Sequence, residues 1–128
     1  MEYILDSNMV IYYLNKALPE NARQMIKQVI TNGASISIIT RLEVLGWYNC
    51  SDIEFQYGLR LIRQFTEIPL TDTIAKYCIN IRHIQKVKLP DAIIAATAIK
   101  HDLPLLTRNV SDFEKVSGLK IINPFSVE

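Results

Sequence analysis

Apolar residues follow two rhythms along this chain: short continuous runs, and longer stretches in which they return at helical spacing. The short runs predict strands at Tyr3-Ile4-Leu5, Ser35-Ile36-Ser37-Ile38-Ile39, Glu67-Ile68-Pro69-Leu70, Pro104-Leu105-Leu106-Thr107 and Lys120-Ile121-Ile122. Pro69 lacks an N–H and moves the third of these to a sheet edge or a strand end. Between them the helical spacing predicts a segment through Met9–Leu14, closed by Pro19. A second opens at Glu20, with Met25, Ile26, Val29 and Ile30 on one face, and stops at Asn32-Gly33. Further helices are expected from Thr40 through Trp47 and from Ser51 through about Phe65. Another carries Ile74, Tyr77, Cys78, Ile81 and Ile84 on one face. Pro90 begins the next, whose stretch Ala92–Lys100 is apolar almost all round and therefore central. A short helix around Phe113 precedes the last strand.

Strands joined by helical crossovers imply a parallel sheet covered on both faces. The length of 128 residues suits one domain, taken as 1–128, and a hydrophobic content of 49% is ample for its core. A net charge of +1 neither demands nor excludes nucleic acid, because a local basic patch is enough to bind it. Cys50 and Cys78 have no metal-ligand spacing and read as buried, reduced thiols. The N-terminus has no basic segment leading into an apolar one, and no apolar run approaches a membrane span, so a cytoplasmic protein is expected.

In such a fold, ligands bind beyond the carboxyl ends of the strands. Asp6 follows the first strand, Glu43 lies one turn into the helix after the second, and Asp112 comes just after the fourth. Asp91 opens the helix that runs back to the fourth strand through the tight His101-Asp102-Leu103 turn, so it belongs at the same edge. Taken singly, each acid has a helix-capping explanation: Asp6 as an N-cap, Thr40-Arg41-Leu42-Glu43 as a capping box, Asp91 and Asp112 as first-turn acids. Ser51-Asp52-Ile53-Glu54 is a comparable capping sequence to which no function is assigned. Together the acids say more. A cap is worth about 1 kcal/mol and an uncharged serine can supply it, whereas carboxylates gathered at one edge repel unless a cation sits among them. Hard oxygen donors with few accompanying histidines or thiols suit Mg²⁺ or Mn²⁺ rather than zinc, and phosphodiester hydrolysis follows naturally.

The same residues carry a family resemblance. Ile4-Leu5-Asp6-Ser7-Asn8, Ile39-Thr40-Arg41-Leu42-Glu43, Leu89-Pro90-Asp91-Ala92-Ile93-Ile94-Ala95-Ala96-Thr97-Ala98 and Leu106-Thr107-Arg108-Asn109-Val110-Ser111-Asp112-Phe113 resemble, in order, the motifs of PIN-domain ribonucleases. They look most like the VapC-type toxins of toxin–antitoxin pairs. The resemblance implies a five-stranded parallel sheet in the order 3-2-1-4-5, endonucleolytic cleavage of RNA with Mg²⁺ or Mn²⁺, a homodimer, and a small VapB-like antitoxin partner. It implies that Asp6, Glu43, Asp91 and Asp112 are the catalytic, metal-binding acids. Asn8, Thr107 and Asn109 would orient them, and Ser7 stands where many relatives have threonine. The implied chemistry is in-line attack by a metal-activated water, leaving 5′-phosphate and 3′-hydroxyl ends.

Arg82, Lys86 and Lys88, with Arg41 and Arg108, are candidate contacts for RNA phosphates, each weighed against a solvated helix end or an ion pair. His83 and His101 lack ligand spacing. Tyr12, Tyr13, Trp47, Tyr48 and Tyr57 could stack bases, but core or dimer contacts are the commoner use of aromatics at helical spacing. Other chemistries fit less well. An aspartate-nucleophile phosphatase needs a second acid where Asn8 stands. A Mg²⁺-binding phosphoacceptor signalling domain needs a lysine at the end of its last strand, and Lys120 lies at the start. A catalytically silent PIN-like scaffold that binds RNA or protein would have no need of all four acids.

Overall fold

The computed structural model describes residues 2–47 and 49–126; Tyr48, one of the aromatic candidates, lies outside them. Five strands form one sheet in the order β3-β2-β1-β4-β5, every neighbouring pair parallel. They are β1 (Ile4–Leu5), β2 (Ser35–Ser37), β3 (Thr66–Ile68), β4 (Leu105–Leu106) and β5 (Ile121–Ile122). Ile4 stands opposite both Ser35 and Leu105, which makes β1 the central strand. The helices are α1 (Ser7–Leu14), α2 (Glu20–Asn32), α3 (Ile38–Leu45), α4 (Asp52–Ile62), α5 (Asp72–Ile84), α6 (Leu89–Lys100) and α7 (Val110–Phe113); a 3₁₀ turn, Pro124–Ser126, follows β5. The expected sheet order and element sequence are thus found.

Alternate side chains along each strand point to opposite faces, and the core divides accordingly. Leu5, Ile36 and Leu106 pack with Met9, Val10, Ile26 and Leu61 on one side. Ile4, Ile68 and Leu105 pack with Ile74, Cys78, Ile81 and Ile94 on the other. The expectation that α6 is central holds: Ala92 through Ala98 are buried without a break. Its alanines let it lie close against α5, and Thr97 satisfies its buried hydroxyl by donating to the Ile93 carbonyl at 2.7 Å. After α6 the chain reverses through Asp102, whose φ of 51° is tolerated by aspartate, and Leu103 N–H donates to the Ala98 carbonyl. Gly33, at φ 101°, ends α2 where the Asn32-Gly33 stop was expected.

Local chemistry overrode pattern at several boundaries. The second strand stops at Ser37, because the Ser37 hydroxyl accepts from the Ile39 N–H and caps α3 there. Ile38 and Ile39 therefore open a helix, and the Thr40–Glu43 capping box does not form; Thr40 is fully buried within α3. That helix ends at Leu45, which leaves Trp47 outside it. By contrast, Ser51 and Glu54 make both hydrogen bonds of a capping box, so the assignment of that sequence to helix initiation stands. Its helix closes at Ile62, and Phe65 is buried in the turn beyond. Of the two cysteines, Cys78 is buried as expected while Cys50 is only half-buried.

Phe113 is 1% exposed and wedges α7 against α6. Replacing it with alanine should cost about 3–5 kcal/mol. Urea unfolding should show this as a lower midpoint with an unchanged m-value.

Candidate active site at the β1–β4 switch point

The chain runs outward from β1 through β2 to β3, then crosses back so that β4 lies on the other side of β1. The crevice beyond the carboxyl ends of β1 and β4 is therefore the topological switch point of the sheet. Asp6 leaves β1 on one lip and Thr107 leaves β4 on the other. Parallel pairing of the two strands brings these residues together: Asp6 N–H donates to the Leu106 carbonyl at 3.2 Å, and the Thr107 hydroxyl donates to Asp6 Oδ2 at 2.6 Å.

Asp6 is 3% exposed. Its Oδ1 accepts from Met9 N–H at 2.9 Å, so it does cap α1, and its Oδ2 takes the Thr107 hydroxyl. The Thr107 oxygen in turn accepts from Asn109 N–H at 3.0 Å, which fixes the hydroxyl and leaves its proton for Asp6. Burial outweighs these hydrogen bonds, and with the negative charges of Asp91 and Glu43 nearby it pushes the Asp6 carboxyl from the ordinary 3.8 up to about 6. Among the described residues, Asp6 has no cationic partner within ion-pair distance.

The other acids come from three helices. Glu43 is exposed near the end of α3, and its Oε1 lies 2.6 Å from Ser7 Oγ, which is also 3.1 Å from Thr40 Oγ1. A carboxylate only accepts and a serine has one proton, so that proton goes to Glu43 and Thr40 supplies the second bond. Ser7 and Thr40 were absent from the expected site residues. Ser7 was legible through its place beside Asp6, whereas Thr40 was hidden behind its capping-box appearance. Asp91 is half-buried in the first turn of α6, and Asp112 is exposed on α7. Burial raises the Asp91 pKa, Asp112 and Glu43 raise it further, and Lys88 partly offsets them. Asp6, Asp91 and Glu43 are thus electrostatic neighbours, and Asp112 adjoins them through Asp91. They are not a finished cage: among the described residues, no three carboxylate, thiol or imidazole side chains converge on one metal position.

Several expected companions stand elsewhere. Asn8 faces solvent, and among the described residues it makes no side-chain hydrogen bond to the acids. Asn109 acts through its backbone, as the N-cap of α7. Arg41 turns away to pair with Glu67 on β3, an edge position that leaves room for the guanidinium. Arg108 lies over the rings of Tyr12 and Phe125, at 5.9 and 4.5 Å from their centroids, a cation–π arrangement. Arg82, Lys86 and Lys88 are exposed beside Asp91, and with Asp112 and Lys115 they line one cleft. His83 and His101 are exposed, away from any ligand grouping.

A carboxyl whose pKa is higher in the folded chain than in the unfolded one holds its proton better when folded, so stability falls as pH rises from about 4 through 6. Asparagine can keep the cap without the charge. In EDTA, Asp6→Asn should therefore unfold at higher urea than the parent at pH 7.5, by at most roughly 3 kcal/mol. The gap should close as pH falls toward 4.

Comparison with known proteins agrees with this geometry. The model of the PIN domain family matches residues 3–119. A 32-residue stretch, 25% of this chain, is 53% identical to Ribonuclease VapC1 of Rickettsia felis, and spans about a quarter (24%) of that relative's length. A toxin–antitoxin complex from Klebsiella pneumoniae contains a chain 30% identical to this one, with a TM-score of 0.77 over 98% of this chain and 99% of that one. VapBC2 of Rickettsia felis, bound to a promoter DNA fragment, superposes with a TM-score of 0.81 at 23% identity, covering 96% of this chain and 98% of the other. The second similarity speaks for the fold alone. With the family model spanning nearly its full length and a strand order that builds the crevice those motifs require, this chain belongs to the PIN domain family.

Proposed function

We propose that this protein is a divalent-metal-dependent endoribonuclease, the VapC-type toxin of a toxin–antitoxin pair, working in the cytoplasm as a homodimer. Its nuclease domain is the 1–128 unit, and Asp6, Glu43, Asp91 and Asp112 are its catalytic, metal-binding acids. The observation that carries this reading is Asp6, a carboxylate buried at the switch point with other acids close enough to raise its pKa and no basic partner among the described residues. Such an arrangement costs stability, and a bound cation would remove that cost. The relative in Rickettsia felis is a ribonuclease by name, and the Klebsiella chain comes from a toxin–antitoxin complex. The first supports an RNA substrate and the second an antitoxin partner, which on this reading is small and VapB-like.

The donor set fits magnesium or manganese: the acids offer hard oxygens, and among the described residues no histidine or cysteine lines the cleft beside Asp91 and Asp112. Magnesium keeps most of its waters and takes only one or two carboxylates directly, so a site short of a complete cage suits it. Asp6 and Asp91 would hold the principal ion, with Glu43 and Asp112 completing the site. When bound, the metal would supply a low-pKa water and charge stabilisation at the phosphate and the departing 3′-oxygen. The chain's own contribution is orientation. Thr107 holds one oxygen of Asp6 while Met9 N–H holds the other, and Ser7 holds Glu43 from the adjoining helix. Each hydrogen bond fixes a carboxylate rotamer, leaving its remaining lone pairs for the crevice.

Purified protein free of any partner, given unstructured RNA with Mg²⁺ or Mn²⁺, should cleave it, and EDTA should abolish cleavage. Asp6→Asn should lose more activity than Thr107→Val, which removes only an orienting group and should cost about 10–100-fold. Cleavage that survives EDTA or Asp6→Asn would sink the nuclease assignment, and RNA left intact in every lane would favour a silent scaffold. In parallel, millimolar Mg²⁺ should raise Tm of the parent and much less that of Asp6→Asn.

A further inference from the structure

We propose that the cleft between the α5–α6 loop and α7 seats the RNA strand on one side of the scissile phosphate, with Lys115 as a positioning residue on its α7 wall. The inference rests on the nuclease reading and adds to it the path of the substrate. The cleft holds about 420 Å³, toward the small end for a ligand site. That volume suits a short piece of unpaired strand. Arg82, Lys86 and Lys88 line it from the end of α5 and the following loop, Lys115 from just beyond α7, and Asp91 and Asp112 share the same lining. A phosphate among these cations would therefore adjoin the phosphate presented to the acids.

Two contrasts single out this cleft. None of its four cations is in an ion pair among the described residues, whereas Arg41 is committed to Glu67 and Arg108 to two aromatic rings. Arg82 is also tethered, its Nε donating to the Val87 carbonyl at 3.3 Å, which braces the loop that carries Lys86 and Lys88. Cations approaching from two walls match the two faces of a phosphodiester chain, and their attraction needs no particular base. Lys115 has no counterpart in the four motifs, which end at Phe113.

The test measures binding apart from cleavage. A fluorescein-labelled, unstructured RNA is titrated with the full-length protein in EDTA by fluorescence anisotropy, alongside a duplex of the same sequence. Lys115→Ala and Lys86→Ala should each weaken single-strand binding several-fold and reduce the slope of log affinity against log salt by about 0.7. Arg41→Ala and Arg108→Ala should leave both unchanged. In Mg²⁺, Lys115→Ala should raise KM with kcat held. Loss of binding and slope in the cleft variants of a protein that cleaves nothing would uphold the cleft and overturn the nuclease. Intact cleavage with unchanged binding and slope would overturn the cleft and spare the nuclease. Failure of the parent to bind single strands, or a duplex bound as well as a single strand, also overturns the proposal. Lys115 is exposed, so an unchanged Tm confirms that the variants are folded.

Discussion

The pairing of β1 with β4 is the constraint on which the rest of this molecule depends. These strands are far apart in sequence, and their parallel alignment sets the first residue after each side by side. One is Asp6 and the other Thr107, joined by a short hydrogen bond across the crevice. A buried carboxylate is tolerated there because both of its oxygens are satisfied, one by the Met9 N–H and one by the Thr107 hydroxyl. Hydrogen bonds do not cancel the loss of solvation, so the proton is still held unusually tightly. A protein selected for stability alone would place serine or asparagine at this cap.

The surrounding residues follow from that choice. Cations near the crevice are kept from neutralising the acids: Arg41 is drawn off by Glu67 and Arg108 by Tyr12 and Phe125. Among the described residues, Lys88 alone is close enough to pull back the pKa of Asp91. Hydroxyls do the orienting instead. Ser7 and Thr40 steady Glu43, and Thr107 steadies Asp6, in each case by a group that carries no charge to compete with an incoming cation. Free positive charge is gathered one step away, along the cleft beside Asp91 and Asp112, where it can meet a polyanion.

Much of the fold is legible in the sequence, because the two hydrophobic periods are hard to confuse over long segments. The amphipathic face of α2 and the apolar circumference of α6 are of this kind. The Ser35–Ile39 run was different. A short apolar run fits a strand or the first turn of a buried helix equally well, and a single serine hydroxyl at position 37 decided for the helix after three residues. The same decision dissolved the apparent Thr40–Glu43 capping box, burying the threonine and releasing the glutamate toward Ser7.

By itself, then, the sequence determined the element types, the sheet order through its family motifs, and the presence of acids at strand ends, because these depend on local period and on spacing along the chain. Only the tertiary structure decided which oxygen meets which hydroxyl, that Arg41 and Arg108 are engaged elsewhere, and that Lys115 joins the basic cleft. Those outcomes depend on side chains brought together from distant elements, and on the desolvation they impose on one another; no window of neighbouring residues contains either.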